Sequence, residues 1–302
     1  MITGYMHPGY AESLREFGFP RELPQCGGWI LERQIPGSSY RDAMGCYPLF
    51  ACQDWSQLHS DLEGLRNELV SLSLVADPFG EFDLTYLKQC FDVVIPFKEH
   101  FVADLRQPMN VIVSKHHRRY ARKALQDVRV ELCPDPKSYI DEWVNLYATL
   151  IEKHNITGIR AFSREAFFKQ LSIPGIVIMI AFSQGITVGA NVIYVQGEVA
   201  YTHLSAFSPR GYDLRAAYPI RSVAIEYLAD NKVRWLDLGA GAGVKSSGTD
   251  GLSQFKRGWS TETRIAYFCG RIFDHQRYSE ILKTKGITNT DYFPAYRKGE
   301  FG

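Results

Sequence analysis

The sequence predicts an α/β (α+β) fold in which mixed, largely antiparallel sheets are flanked by helices. From residue 138 onward the apolar pattern gives the order helix, helix, three antiparallel strands, loop, helix and strand, which implies a mixed sheet with helices packed on it. Strand and helix patterns also follow one another between residues 28 and 90. The chain has 302 residues, which suggests two domains at about 150 residues each, or one large domain.

The first third of the chain is rich in turns and aromatic residues. Asp54 can cap a helix that carries an apolar stripe, and apolar runs bounded by Pro and Gly indicate strands. The predicted elements are a strand at 28–35, a strand at 47–52, a helix after Asp54, a strand at 69–76 and a helix at 84–90.

The elements after residue 138 follow a more regular pattern. Ser138 and Asp141 form a capping box, Ser163 can cap the next helix, and Pro219 suits a first helical turn. Two short Gly-containing turns between the strands are tight enough for hairpins. The predicted elements are helices at 140–151 and 164–171, strands at 176–182, 187–195 and 199–207, a helix near Pro219 and a strand at 234–238.

Composition and charge exclude several classes of protein. Hydrophobic residues make up 45% of the chain, which excludes a disordered or collagen-like chain. The formal net charge of +1 argues against a broad nucleic-acid coat and against an acidic tail. No apolar run reaches the ~18 residues of a membrane helix, and no signal-peptide pattern is visible, so we expect a cytoplasmic protein without a membrane span. The six cysteines form no C-x-x-C pair, which predicts reduced thiols and no metal site.

The strongest cluster of positive charge lies at residues 115–125. Its apolar residues can share one face of a helix, while Arg118, Arg119 and the other cations lie mostly elsewhere. Two interpretations stay open: a solvated helix face, or a surface that contacts phosphate on a nucleotide or RNA. His116 and His117 are adjacent and point in different directions on a helix, so we do not expect them to share a metal.

Three segments of the sequence carry a resemblance to a known family. They are Trp-Leu-Asp-Leu-Gly at 235–239, Gly-Leu-Ser-Gln-Phe-Lys-Arg-Gly-Trp at 251–259 and the basic segment at 115–125. The second is similar to the G-L-x-x-F-K-x-G-F/W motif of the FemAB-like branch of the GNAT acyltransferases, the peptidoglycan-type aminoacyltransferases and their relatives. Ser260 stands where that family often has Gly.

The resemblance covers about residues 112–270 and implies two GNAT-like lobes. We expect a degenerate N-terminal lobe at 1–112, which matches the family only as an α/β unit. The acyltransferase lobe is expected at 113–302, with the basic helix as a linker at its start. Each lobe is expected to hold a mixed, largely antiparallel sheet flanked by helices.

The resemblance also implies an activity, the transfer of an acyl or aminoacyl group to an amine. The acceptor class it implies is an amine of a cell-envelope precursor, a peptide or a small metabolite. The donor is acyl-CoA or aminoacyl-tRNA, so tRNA is a possible partner, and no tightly bound cofactor is expected. The resemblance places the family's functional lysine on Lys256, where a cation can neutralise an oxyanion or a donor phosphate. The other catalytic candidates are Asp237, His203 and Tyr218.

The loop at 208–216, which is expected to bind the donor, departs from the pattern of a coenzyme A site. A coenzyme A enzyme of this fold shows a Q/R-x-x-G-x-G/A loop, whereas this loop has a single Gly, at Gly211. Backbone amides at a helix start can still bind pyrophosphate. The departure favours aminoacyl-tRNA or another activated donor by a narrow margin. The full set of donor-binding candidates is Arg210, Gly211, Arg215, Arg257, Arg118 and Arg119.

Two other functions compete with acyl transfer. The D-x-G-x-G-x-G pattern at 237–243 resembles the first motif of S-adenosylmethionine methyltransferases, which must open a helix, whereas residues 244–251 predict a loop. In the favoured interpretation this run is a mobile active-site loop that leads to Lys256. A non-catalytic GNAT-fold binding protein, with an aromatic-rich first lobe that binds a partner, is the other alternative. The sequence predicts no oligomeric state.

Overall fold

The computed structural model describes residues 1–243, 250–288 and 290–300 of the chain. The strands are β1 Phe19–Leu23, β2 Gly28–Gln34, β3 Arg41–Gly45, β4 Ser71–Val75, β5 Val93–Asp104, β6 Arg129–Leu132, β7 Ile176–Ser183, β8 Ile186–Gln196, β9 Val199–Phe207, β10 Trp235–Asp237 and β11 Glu262–Ile272. The α-helices are α1 Pro8–Ser13, α2 Leu58–Gly64, α3 Leu84–Cys90, α4 Met109–Ile112, α5 Lys115–Ala124, α6 Ile140–His154, α7 Arg164–Gln170, α8 Pro209–Asp213, α9 Ala217–Asp230, α10 Gly251–Arg257 and α11 His275–Thr284.

The chain divides into two compact units. The larger unit comprises residues 1–4 and 98–265, and the smaller unit comprises residues 5–97 and 266–302. The chain passes from one unit to the other between residues 4 and 5, within β5 and again within β11. The 98–104 part of β5 belongs to the larger unit, since it pairs with β10, far along the chain, and the expected boundary between 112 and 113 stays a prediction.

In the sheet of the larger unit, one pair of neighbouring strands is parallel and the pairs on both sides of it are antiparallel. β6, β7, β8 and β9 pair in succession as antiparallel neighbours. β9 then pairs with β10 in parallel, and β10 pairs with β5 in antiparallel fashion. The connection from β9 to β10 runs through α8 and α9, as a parallel pair requires a crossover.

The helices of the larger unit supply the apolar cover of this sheet. On α9, buried residues recur at helical spacing, at Ile220, Ala224, Ile225 and Leu228. They share one core cluster with Leu236 of β10 and with other apolar strand residues. α6 packs against β8 and β9 through its own buried aromatic and apolar residues. The expected helices and strands after residue 138 are therefore present.

The smaller unit repeats the same order of strand pairings. β1/β2 and β2/β3 are antiparallel, β3/β4 is parallel, and β4 pairs in antiparallel fashion with the 268–272 part of β11. In the larger unit β7/β8, β8/β9, β9/β10 and β10/β5 show the same sequence of directions. The predicted mixed, largely antiparallel sheets flanked by helices are thus confirmed.

Two local predictions were wrong. Residues 47–52 form no strand beyond an isolated bridge between Phe50 and Ala76, since β3 already ends at Gly45 and Pro48 has no N–H to donate. Ser138 does not cap α6, because its hydroxyl donates to the Asp135 carbonyl at 2.8 Å. α6 instead begins after Tyr139, which provides no side-chain cap.

Within the described part of the chain, no helix combines the length and the apolar character needed to cross a bilayer.

Candidate functional site

The candidate site lies where β10 ends and β9 continues without it. The two strands pair only from Trp235 opposite Val199 to Asp237 opposite Tyr201. Beyond Asp237 the backbone keeps bonding to β5, since the Leu238 amide donates to the Phe101 carbonyl at 2.9 Å. The sheet therefore opens between the ends of β9 and β10, which is where ligands bind in open α/β sheets.

A buried carboxylate and a buried imidazole form a pair at the end of β10. Asp237 is 2% exposed and His100 of β5 is 8% exposed, with 2.8 Å between Asp237 Oδ2 and His100 Nδ1. The Gly239 amide donates to Asp237 Oδ1 at 2.6 Å. A carboxylate that accepts at both oxygens has the Nδ1–H tautomer of His100 as its donor, and in the neutral form of that tautomer Nε2 carries the lone pair. His100 was not among the residues predicted from the sequence.

Lys256 lies on α10, the helix formed by the 251–259 motif. Asp250 caps this helix, accepting from the amides of Leu252 and Ser253. Lys256 Nζ donates to the carbonyl oxygen of Ala240 at 2.7 Å. A side chain at Gly239, which has φ +72°, would place its Cβ 3.2 Å from that Nζ. The glycine-rich turn after β10 thus leaves room for the lysine and holds its amine.

The charge on Lys256 is balanced between opposing neighbours. Burial lowers the pKa of its amine to about 8, and the positive charges of Arg221 and Lys98 lower it further, whereas Asp237 and Asp250 raise it. The amine is therefore a weaker base than a surface lysine and close to half protonated just above neutral pH.

Arg221 is a second cation of this site that sequence reasoning missed. It lies on α9, is 6% exposed, and donates from Nη1 to Thr202 Oγ1 on β9 at 2.7 Å. Thr202 follows Tyr201, the residue opposite Asp237. Arg221 precedes Ala224, Ile225 and Leu228 at helical spacing, so an arginine in a buried stripe was the signal that could have identified it.

An aromatic cluster joins α5, α9 and α10 beside the site. Tyr218 packs on His117 and Phe255 at 5.1 Å between ring centroids, and Trp259 completes the cluster. His117 Nδ1 lies 2.8 Å from Ser114 Oγ, and its Nε2 lies 3.1 Å from the Phe255 carbonyl. His117 is therefore a packed, hydrogen-bonded residue. Burial raises the pKa of Tyr218, whose role as a proton donor stays a prediction.

His203 is unsuited to serve as the base. It is the extra residue of a β-bulge, since Thr202 pairs with Ile193 and Leu204 pairs with Val192. Burial lowers the pKa of its imidazole to about 3, and its Nε2 lies 3.4 Å from Gln170 Oε1 on α7. An imidazole with that pKa takes a proton from an ammonium poorly at neutral pH. A structural role against α7 fits these contacts.

In the loop that was expected to bind the donor, packing against β8 accounts for the glycine at position 211. A side chain at Gly211 would overlap the Val188 carbonyl, and the Gly211 amide already donates to Ser208 Oγ. Arg210 is exposed. The guanidinium of Arg215 lies 4.2 Å from the ring centre of Tyr120 on α5. The roles of these three residues in donor binding stay predictions.

The remaining donor-binding candidates lie on two helices. Arg257, on α10, is exposed and lies 5.5 Å from the ring centre of Phe101. Arg118 is half-buried and Arg119 is exposed on α5, which forms over Lys115–Ala124 as predicted. Among the described residues, no carboxylate lies within ion-pair distance of a cation of α5.

The glycine-rich run is described as far as Gly243. Lys98 Nζ donates to the Gly243 carbonyl. Residues 244–249, which were expected to form a mobile loop leading to Lys256, lie outside the described residues. Over the described ranges, no group of His, Cys, Asp and Glu side chains is arranged to hold a metal.

Comparison with known proteins identifies the class of domain that carries this site. Residues 113–257 match the family model of the acetyltransferase (GNAT) domain, and these residues lie within the larger unit. Over these residues the chain is therefore similar to an acetyltransferase (GNAT) domain. No curated protein matches the sequence.

Solved structures extend the likeness over both units. FemX is 13% identical, with a TM-score of 0.65 over 90% of this chain and 93% of FemX. A C-terminal domain assigned to a lysylphosphatidylglycerol synthetase of Agrobacterium fabrum is 14% identical, with a TM-score of 0.61 over 94% of this chain and 92% of that domain. L-PGS from Bacillus licheniformis is 14% identical, with a TM-score of 0.57 over 96% of this chain and 100% of that one. At these identities the likeness is one of fold.

Proposed function

We propose that the protein is an N-acyltransferase that moves an acyl or aminoacyl group from an activated donor to an amine. The observation that carries the proposal is the position of Lys256: its amine is held at the end of β10, beside the buried Asp237–His100 pair, within a GNAT domain. A cation, a base and an opening in the sheet are thereby brought to one place.

The proton balance of the reaction assigns a role to the His100–Asp237 pair. The amine nitrogen forms a bond to the acyl carbon, and the bond from that carbon to the oxygen or sulfur of the donor breaks. The amine must lose a proton as it does so, and Nε2 of His100 carries the lone pair that can accept it. Asp237 acts as a positioning residue that fixes the tautomer of His100. The proton then goes to the departing oxygen or sulfur.

Lys256 supplies positive charge where negative charge develops. Attack of the amine turns the acyl carbonyl oxygen into an oxyanion, and a cation fixed before the reaction stabilises it. With a pKa of about 8, the lysine is mostly protonated at neutral pH. Its hydrogen bond to the Ala240 carbonyl fixes the direction of the amine.

The donor that we favour is aminoacyl-tRNA rather than plain acetyl-CoA. The short α8 begins at Pro209, which has no N–H, and its Gly211 amide already donates to Ser208 Oγ, so two of its first three positions offer no free amide to a pyrophosphate. α5 presents Arg119, Arg122 and other exposed cations that can contact a phosphate backbone. Two of the structural neighbours are named for lysylphosphatidylglycerol synthesis or L-PGS, which points to aminoacyl transfer.

A donor screen by mass spectrometry tests this function. Purified protein is incubated with a panel of amines and with charged tRNA, acyl-CoA or S-adenosylmethionine in separate reactions. We expect an aminoacyl or acyl mass increment on an amine. A methyl increment would support the methyltransferase alternative, and the absence of any product across the panel would support a non-catalytic binding protein.

A further inference from the structure

Arg221 is a buried cation without a counter-charge. Its guanidinium donates to the neutral Thr202 hydroxyl, and within the described residues no carboxylate lies within ion-pair distance of it. Its Nε is buried and has no hydrogen-bond partner. Burial lowers the pKa of the group to about 10. An unpaired buried arginine lowers the stability of the fold, because no counter-charge offsets the free energy of removing its charge from water.

A comparison within the same chain shows what a structural buried arginine looks like. Arg297 of the smaller unit is 9% exposed and donates to Asp42 through Nε at 2.6 Å and Nη2 at 2.8 Å. Asp42 is fully buried and also lies 3.6 Å from Arg33, and Arg297 lies 3.4 Å from Glu300, so Arg297 has carboxylate partners within the protein. Arg221 has the same burial and lacks the carboxylate.

The surroundings of Arg221 favour an anionic ligand. Thr202 places the guanidinium at the end of the β9/β10 pair, and the charge of Arg221 acts on Lys256. Lys98 adds a third positive charge, while Asp237 is bonded to His100 and Asp250 is bonded to its own helix. The site therefore has an excess of positive charge that a bound anion would balance.

We propose that Arg221 and Thr202 form a subsite for an oxyanion of the substrate, a carboxylate or a phosphate group. A guanidinium offers parallel N–H donors that match two oxygens of such a group. That the bound anion belongs to a substrate rests on the proposed acyltransferase function. The binding of that anion can be measured without any transfer reaction.

The test is direct binding of inorganic pyrophosphate and of acetate, measured by calorimetry on the full chain. Wild-type protein is compared with Arg221→Met, with Arg221→Lys and with Arg129→Gln, which changes an exposed arginine of β6. We expect at least one anion to bind, with binding at least tenfold weaker for Arg221→Met, several-fold weaker for Arg221→Lys and unchanged for Arg129→Gln. Tighter pyrophosphate binding would identify a phosphate group, and tighter acetate binding a carboxylate. Absence of binding, or equal binding by wild type and Arg221→Met, would overturn the subsite.

Thermal unfolding without any anion provides the second readout. Because the buried charge is unpaired, Arg221→Met should have the same or a higher Tm than wild type, whereas Arg297→Met should have a lower Tm. A lower Tm for Arg221→Met, or its failure to fold, would show that Arg221 is structural and would overturn the proposal. Anion binding that depends on Arg221 would support the subsite even if no donor in the screen supports transfer. The result of the binding test is therefore independent of the result for the proposed function.

Discussion

The partners of two buried histidines decide which of them suits the proposed role of a base. The imidazole of His100 is oriented by its hydrogen bond to the carboxylate of Asp237, which lies 137 positions away in the sequence. His203 has an amide neighbour, Gln170, and burial keeps its imidazole neutral. Sequence reasoning selected His203 because it lies in a recognisable strand. The Asp237–His100 pair could not be predicted, since it depends on the pairing of β5 with β10.

Lys256 lies in a recognisable sequence motif, whereas Arg221 does not. Lys256 was predicted because a local motif surrounds it at 251–259, and the structure places it beside Asp237 as a charged neighbour. Arg221 has no motif. Only its place in the buried stripe of α9 indicates a role, and what it bonds to depends on where Thr202 lies in β9.

The neutral state of His203 predicts sensitivity to acid. The unfolded chain takes up a proton on this residue near pH 6.5, whereas the folded protein does so only near pH 3. The unfolded state thus binds more protons in this window, so stability falls as pH drops from about 6.5 towards 3, by at most about 1.4 kcal/mol per pH unit. His203→Gln should reduce the slope of unfolding free energy against pH, measured by urea titration. His154→Gln, at an exposed position, should leave the slope unchanged, and equal slopes for all three proteins would contradict the assignment.

At the level of elements, the 251–259 motif forms α10 and also provides the contact through which α10 packs against α5. Its Gly residues differ in what surrounds them. A side chain at Gly258 would overlap the ring of His117 on α5, whereas a side chain at Gly251 would meet nothing within 4 Å. The Gly258 carbonyl also accepts from the Ser114 amide at 2.9 Å, just before α5 begins. The second Gly of the motif therefore allows α10 and α5 to approach closely.

Two alanine substitutions in this motif should differ in their effect. Gly258→Ala forces His117 and its aromatic neighbours to shift, so we expect a loss of about 1–3 kcal/mol in unfolding free energy. Gly251→Ala should change it by less than about 0.5 kcal/mol. Urea unfolding of both variants provides the measurement. If Gly258→Ala were as stable as Gly251→Ala, the close contact between the two helices would be refuted.

Most elements were predictable because their signals are local. The helix at Leu84–Cys90 and the hairpin strands β7 to β9 follow from caps, Gly turns and apolar periodicity. The failures at 47–52 and at Ser138 have local causes as well, since a Pro and a competing carbonyl removed the expected bonds.

At the scale of the whole molecule, both units use one plan of strand pairing. In each, a parallel pair joined by helices lies inside antiparallel strands. The two lobes divided between residues 112 and 113 stay a prediction from length and family resemblance. The two compact units divide within β5 and β11, and these pairings cannot be predicted locally, because β5 pairs with the distant β10 and β11 pairs with the distant β4.

If a site built around Lys256 transfers acyl groups, the transfer rate should depend on pH through the charge of this lysine. With the donor and acceptor found in the screen, kcat/KM is measured from pH 6 to 10 for wild type, Lys256→Arg and Lys256→Met. The positive charge of Lys256 is present below its pKa of about 8 and is lost as pH rises through it. We predict that Lys256→Met is about 10²–10³-fold slower than wild type below pH 8, that the ratio shrinks above pH 8, and that Lys256→Arg retains more activity. A Lys256→Met protein that is correctly folded and as fast as wild type at pH 7 would contradict this role of Lys256.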